Sequence, residues 1–362
     1  MSLPNAGTRV MQIEAGRPSI HNRALPRIVR VDVRAAALGV LTSLVLVAAC
    51  GSGTTPIALS SATPATPSTS PMQSTPSSTC RLPVVIRKFD TTAHNWGADT
   101  AGFLTYPDGG FTSANASGVR YDTARRLWLP AGIPTPDEAG YVYTDGAGAI
   151  HVVTLESGQD RIFVTGSWVA LGFVGNTLYV AESIPNPAGS FAGGSYREGR
   201  LARTDLSGAV PAFVTQHAGP WWVSSLGAWT LDRADGMQQA PDRVLHADLA
   251  TGAVSAWLTG VGDVTIAAFD AAGHPFVVGQ GGIQVLLVVD SRSALNIYRG
   301  ARENGWPESP YYVDGDKVWL SGFSIKDPTF EAPAWLYSPG TGLQTSVGVR
   351  GAQVSVAGPC IR

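Results

Sequence analysis

Short runs of alternating apolar and polar residues cover the chain from residue 80 onward. Clear examples are the stretches 177–181, 243–247, 285–289 and 318–322. Alternation with a period of two residues is typical of half-buried β-strands, and the Asp, Asn, Gly and Pro residues between the runs favour tight turns. Helical periodicity is largely missing. The pattern therefore predicts an all-β domain over residues 80–362.

A turn motif repeats along this domain. The segment Asp205–Thr215 recurs as Asp248–Thr259, and weaker copies begin at Asp122, Glu156, Asp290 and Ser338. Successive starts lie 34 to 49 residues apart, a spacing typical of four-stranded propeller blades and not expected of a β-sandwich. Six such turns, with strand-like segments left at both ends of the domain, favour a β-propeller of seven blades. Its termini would join in the closing blade, and six blades is the alternative.

One blade carries a family resemblance. The segment Thr135–Tyr143 (TPDEAGYVY), followed by Ile150–Gly158, resembles the S-P-D-G-x-x-Y blade motif of TolB-type, WD-repeat-like propellers. Glu138 stands where that motif usually has glycine. The resemblance implies a propeller fold and says little about activity; since TolB is a periplasmic interaction protein, it implies at most a tendency toward partner binding.

The N-terminal region has the layout of an export signal. Fifteen uncharged residues, Ala35–Ala49, follow a segment rich in arginine and run directly into Cys50. The junction Val47-Ala48-Ala49-Cys50 resembles the lipobox of bacterial lipoproteins, and the apolar run is short for a membrane-spanning helix, which needs about 20 residues. We therefore expect residues 1–49 to be a signal peptide, Cys50 to be lipidated, and the protein to be anchored outside the cytoplasmic membrane.

A tether follows the expected anchor. Residues 50–79 are uncharged and, from Thr54, mostly Ser, Thr and Pro, so they predict a disordered linker that spans about 30 Å as a coil. Without residues 1–49, which hold six arginines and two acidic residues, the chain has 19 basic and 25 acidic residues, a net charge of −6. No basic cluster indicates nucleic-acid binding.

The three cysteines divide into two groups. With Cys50 assigned to lipid, Cys80 and Cys360 remain, one at each end of the folded domain. Disulfides persist outside the cytoplasmic membrane. We predict that Cys80 and Cys360 form a disulfide that closes the propeller.

Sequence motifs of catalysis are not found: there is no G-x-S-x-G elbow, H-E-x-x-H segment or phosphate-binding glycine loop. The histidines are scattered, so no catalytic residue, metal ligand or cofactor is assigned. The longest insertions instead fall on connections that share one end of a propeller, and aromatic side chains there suit recognition. The candidate binding face consists of Tyr196, Arg197, His217, Trp221, Trp222, Trp306, Glu308, Tyr311 and Lys326.

These features favour a lipid-anchored protein-interaction module or scaffold of the cell envelope, with an envelope or surface protein as partner. A binder of a small molecule or glycan at the propeller mouth is an alternative, and a polysaccharide hydrolase or lyase is a third. Convergent carboxylates would support the third, a deep pocket the second, and a broad apolar patch the first.

Overall fold

A computed structural model describes residues 79–185, 196–232, 241–279, 282, 284–300, 305–323 and 332–362. These residues belong to one compact unit. They contain 27 β-strands and no α-helix, as the alternating pattern predicts. Within the described residues, no helix has the length and apolar character needed to cross a membrane.

The strands of the first half are short and follow one another closely. They are β1 Cys80–Asp90, β2 Asn95–Trp96, β3 Thr100–Tyr106, β4 Phe111–Ser113, β5 Arg120–Asp122, β6 Leu127–Leu129, β7 Ile133–Pro134, β8 Gly140–Thr144, β9 Ile150–Thr154, β10 Asp160–Val164, β11 Trp168–Val174, β12 Thr177–Pro185, β13 Tyr196–Thr204 and β14 Ala212–Ala218.

The second half continues the same pattern. Its strands are β15 Trp221–Ser224, β16 Gly227–Asp232, β17 Arg243–Ala247, β18 Val254–Thr259, β19 Thr265–Phe269, β20 Pro275–Gly279, β21 Gln284–Asp290, β22 Ser293–Arg299, β23 Trp306–Asp314, β24 Lys317–Phe323, β25 Trp335–Ser338, β26 Gly342–Thr345 and β27 Ala352–Val356.

Six antiparallel sheets of the described residues form the blades of a β-propeller. Five of them are built from consecutive strands: blade II is β7–β10, blade III β11–β14, blade IV β15–β18, blade V β19–β22 and blade VI β23–β26. Blade I combines both ends of the domain in the order β27-β1-β3-β4, with β2 paired to the end of β1. We call the end at which the first strand of each of blades II to VI begins the upper end, and the opposite end the lower end.

The closing blade confirms the predicted joining of the termini. Val84 of β1 pairs with Val356 of β27, and Arg81 and Ile361 exchange backbone hydrogen bonds of 2.8 and 2.9 Å. The Cys80–Cys360 disulfide, with a Cα–Cα distance of 5.7 Å, lies next to these pairs at the lower end. The predicted disulfide is therefore confirmed.

The favoured number of seven blades is not confirmed, because the described residues form six. The extra predicted blade came from the turn at Asp122, which lies in the two-stranded hairpin β5–β6 and not in a blade. Asp122 accepts a hydrogen bond from the amide of Arg125 at 2.9 Å, as the aspartates of the blade turns do with their own following amides. The local turn chemistry is the same, so the motif alone does not reveal whether a four-stranded sheet surrounds it.

The repeated turn motif has a packing role between blades. Asp248 accepts hydrogen bonds from the amides of Ala250 and Thr251, at 3.0 and 2.7 Å, and the chain then turns through Gly252 at a φ of 73°. A Cβ on Gly252 would collide with the carbonyl oxygen of Val214, in the outer strand of the preceding blade. Glycine is therefore required both by the left-handed backbone and by the close approach of the preceding blade.

The core lies between neighbouring blades. Trp229, Trp319 and Trp335 are among the largest fully buried side chains, each at most 2 % exposed. The aromatic ring of Trp229 packs against that of Phe269 in the next blade, and Trp319 packs among valines and leucines of blade I. Burial of each such side chain stabilises the fold by about 2–3 kcal/mol. The blades therefore act as rigid supports for the residues at either end.

Candidate functional site

The upper end of the propeller brings together the connections that the sequence predicts on one face. The side-chain carboxylate of Glu198, near the start of β13, accepts a hydrogen bond of 2.6 Å from the backbone amide of Trp221, at the start of β15. The carbonyl oxygen of Pro241, just before β17, accepts one of 3.0 Å from Val264, just before β19. At this end, residues near the start of the third strand of blades III and IV therefore contact residues near the start of the next blade.

Two of the candidate residues, Trp221 and Tyr311, are held by packing or hydrogen bonds within the fold. Trp221 is 3 % exposed, and its indole N–H donates to the carbonyl oxygen of Gly199 at 2.8 Å. Tyr311 packs against Phe269 with ring centroids 6.2 Å apart, and burial raises the pKa of its hydroxyl to about 12. Trp221 is therefore unavailable to a partner, whereas Tyr311 is partly buried against the core.

The remaining candidates are half-buried or have side chains outside the described residues. Trp222 and Trp306 are half-buried, Trp222 against the buried cluster that contains Trp229 and Trp306 against Phe323. His217 is half-buried near Trp221, and no other described residue forms a hydrogen bond with its buried Nε2. Tyr196 and Arg197 open β13, where their backbones pair with Pro185 and Ile184; their side chains, and Lys326 entirely, lie outside the described residues.

Two carboxylates at the upper end are desolvated. Burial raises the pKa of Glu198, although the hydrogen bond from the amide of Trp221 acts in the opposite direction. Burial also raises the pKa of Glu308 to about 7, and the hydrogen bond of 3.3 Å from Gln353 Nε2 compensates only in part. Neither carboxylate has a cationic partner among the described residues.

A polar cluster occupies the upper end of blade II. The ring of His151 lies between two carboxylates, with Nδ1 2.9 Å from Asp160 and Nε2 3.3 Å from Asp145, while Tyr143 donates its hydroxyl proton to Asp160 at 2.6 Å. Burial lowers the pKa of His151, but the two carboxylates outweigh burial and raise it above its usual range. Since both ring nitrogens face acceptors, the cluster favours the imidazolium form.

Metal binding finds no support at these positions. Within the described residues, no group of three or more His, Cys, Asp or Glu side chains has an arrangement that could hold a metal ion. The cluster around His151 is one of hydrogen bonds and charges within a single blade.

A pocket at the lower end was not anticipated from the sequence. The hairpin β5–β6, blades II and VI, and Pro359 of the segment that follows β27 in blade I line this pocket, which is open to solvent. Its polar lining comes from Arg120 and Asp122 of the hairpin, Glu138 of blade II and Tyr312 of blade VI. The hairpin and blade VI lie in opposite halves of the chain, so only the closed ring brings these residues together. One local signal was present, the glutamate at position 138 of the blade motif.

The fold defines the class as a six-bladed β-propeller closed by strand pairing and a disulfide. No family model matches this chain, and no curated protein does. Among solved structures, the chain is similar to a putative TolB from Agrobacterium tumefaciens, at 14 % identity over 77 % of this chain and 93 % of that chain, with a TM-score of 0.43.

Other solved structures that are similar to this chain have different names. An oligogalacturonate lyase from Vibrio parahaemolyticus shares 12 % identity over 76 % of this chain and 80 % of its own, with a TM-score of 0.43. AztD from Citrobacter koseri, in its apo form, shares 12 % identity over 76 % of this chain and 97 % of its own, with a TM-score of 0.42. Similarity at this level assigns no activity to this chain.

Proposed function

We propose that this protein is an interaction module of the cell envelope, anchored outside the cytoplasmic membrane by a lipid on Cys50, and that the upper end of its propeller binds a protein partner. The signal-like residues 1–49, the lipobox-like junction at Cys50 and the uncharged linker support the anchored location. The closed ring supplies a rigid platform, so that little conformational entropy is lost on binding.

The observation that carries this proposal is the state of Glu308. Its carboxyl is half-buried near the upper end of β23, and its raised pKa reflects burial without a cationic partner among the described residues. Such a group lowers stability, which is compensated when a partner supplies a lysine or arginine. Trp306 lies two residues away on the same strand and remains partly exposed. Tryptophan is enriched among the hot-spot residues of protein interfaces.

The same observation defines the class of partner. We expect a protein surface that presents a basic side chain to Glu308 and an apolar or aromatic group to Trp306. Electrostatic attraction of this kind accelerates association and weakens with added salt.

Affinity capture from solubilised envelope tests the interaction. The full chain, with its lipid and a tag after Arg362, leaves the upper end free because the C-terminus lies beside the disulfide at the lower end. A protein captured by the wild type should be lost with Trp306→Ala and with Glu308→Gln. It should be retained by Leu295→Ala, which removes a side chain that is 54 % exposed on the outer strand β22.

Binding of the purified partner then decides the outcome. We expect an affinity loss of about 30-fold or more for Glu308→Gln and a marked salt dependence of the wild-type affinity. Equal affinity of all three variants and the wild type would contradict an interface at the upper end. For the anchor, Cys50→Ala should abolish lipid labelling and membrane retention, and normal membrane retention of that variant would exclude lipidation at this residue.

A further inference from the structure

The lower pocket contains a cation without a partner. The Nε atom of Arg120 is buried and, among the described residues, has no hydrogen-bond acceptor and no carboxylate in an ion pair with this arginine. An arginine in such a position retains its charge, so an unpaired N–H group there costs free energy until an acceptor binds. Arg120 also lines the pocket, so its guanidinium offers a cation, unpaired among the described residues, to an anionic group that binds there.

A second donor lies beside it. The guanidinium of Arg120 is close enough to Tyr312 to act against the rise in pKa that burial causes there, and burial still holds the pKa of Tyr312 at about 12. The Tyr312 hydroxyl is therefore neutral at physiological pH and makes no hydrogen bond with the other described residues. Both side chains line the pocket, and both can donate hydrogen bonds, as a carboxylate with two acceptor oxygens requires.

Glu138 adds a negative charge to the pocket, and its backbone conformation is strained. Its φ of 56° lies in the left-handed region that a residue with a side chain rarely adopts. Glycine would relieve this strain, yet a glutamate occupies the position and lines the pocket. A strained residue at a pocket wall is an indication of function.

The charges do not cancel within the pocket itself. Asp122 is already paired with Arg125 at 2.9 Å, whereas no ion pair of the described residues joins Arg120 to Glu138. The pocket therefore presents one free cation and one free anion among the described residues, which together disfavour a simple anion and suit a ligand with both charges.

We propose that the lower pocket binds a small zwitterion of the amino-acid or short-peptide class. Its carboxylate is held by Arg120 and Tyr312, and its ammonium group is held by Glu138. This site is separate from the upper end, so its test is independent of the partner proposed there.

Calorimetric titration with a panel of free L-amino acids and dipeptides tests the site on the full chain. At least one member should bind, and its carboxylate-only and amine-only analogues, such as propionate and ethylamine for alanine, should bind far more weakly. Binding of the carboxylate-only analogue with equal affinity would overturn the role of Glu138, and no binding by any member would overturn the proposal.

Variants test which side chains bind the ligand. Arg120→Gln and Glu138→Gln should each lower the affinity by about 30-fold or more, because each leaves one end of the ligand unpaired. Arg161→Gln, a change at an exposed arginine of β10, should leave the affinity unchanged. If Arg120→Gln unfolds the protein, Glu138→Gln still decides, because its side chain lies in an exposed turn; unchanged affinity of Glu138→Gln would refute the assignment.

Discussion

The two ends of the propeller differ in how they hold charge. At the upper end, Glu198 and Glu308 are carboxylates removed from water, with hydrogen bonds but without cations among the described residues. At the lower end, the disulfide and the paired termini close the ring, and the pocket contains Arg120 without an acceptor and Glu138 on a strained backbone. Both ends therefore contain groups that lower the stability of the isolated protein, and the blades between them contain the packed core that compensates.

The two ends also differ in the blades that supply their polar groups. The upper-end carboxylates lie on blades III and VI, and each accepts a hydrogen bond from the blade that follows it: Glu198 from the amide of Trp221 in blade IV, and Glu308 from Gln353 in blade I, where the ring closes. The lower pocket combines three blades and a hairpin that belongs to none of them. A protein partner suits the former, which is a rim, and a small ligand suits the latter, which is a recess.

The largest effect is expected from removal of the seam disulfide. Cys80→Ser combined with Cys360→Ser should lower the free energy of unfolding by about 4–5 kcal/mol, because the bond closes a loop of nearly the whole domain in the unfolded chain. Denaturant unfolding of the oxidised wild type and the double variant measures this. An unchanged midpoint would show that the pairing of β27 with β1 alone closes the ring.

The upper end should become more stable when its buried charge is removed. The pKa of Glu308 is raised in the folded protein, so ionisation disfavours folding as the pH rises from about 4.5 to about 7. Glu308→Gln should therefore raise the free energy of unfolding at pH 8 by on the order of 2 kcal/mol and change it little at pH 4. A matched change at an exposed position, Glu156→Gln, should have little effect at either pH.

The lower end should respond in the same direction to relief of backbone strain. Glu138→Gly should raise the free energy of unfolding by about 0.5–1 kcal/mol, since glycine adopts the positive φ without steric cost. The same variant should lose the zwitterion affinity proposed above. Gly175 provides the converse control, because it also has a positive φ and a Cβ there would meet open space. Gly175→Ala should therefore destabilise the protein through backbone strain alone, as denaturant unfolding would measure.

The smallest effect is expected at blade II. The raised pKa of His151 stabilises the fold fully below its unfolded value of about 6.5, and this contribution is lost as the pH rises through the folded pKa. His151→Asn should therefore cost about 0.5–1 kcal/mol more at pH 5.5 than at pH 8.5, a modest value because Asp160 is 43 % exposed. Equal losses at both pH values would show that the ring contributes by packing alone.

Sequence alone predicted the features that local patterns determine. The turns at Asp205 and Asp248 identified propeller blades, because the Asp and Gly requirements of a tight turn are local, and the two cysteines at the ends of the domain identified the closing bond. The turn at Asp122 led to one blade too many, since the same turn chemistry serves a two-stranded hairpin.

The exposure of individual aromatic residues could not be predicted from the sequence. A register shift between Glu308 and Tyr311 redirects the side chains of β23, so that Tyr311 packs into the core instead of facing the upper end. The pocket at Arg120 was equally inaccessible, because it depends on Tyr312, which is distant in the chain and reaches it only when the ring closes.

The defining feature of the upper end is a desolvated carboxylate without a cation among the described residues. Its most direct test is the pKa of Glu308, measured by carbon-13 NMR on the side-chain carboxyl of the protein, with Glu308→Gln to assign the resonance. We predict a value of about 7. A value near 4.5, the ordinary one for glutamate, would contradict this prediction and would remove the main support for an interaction site at that end.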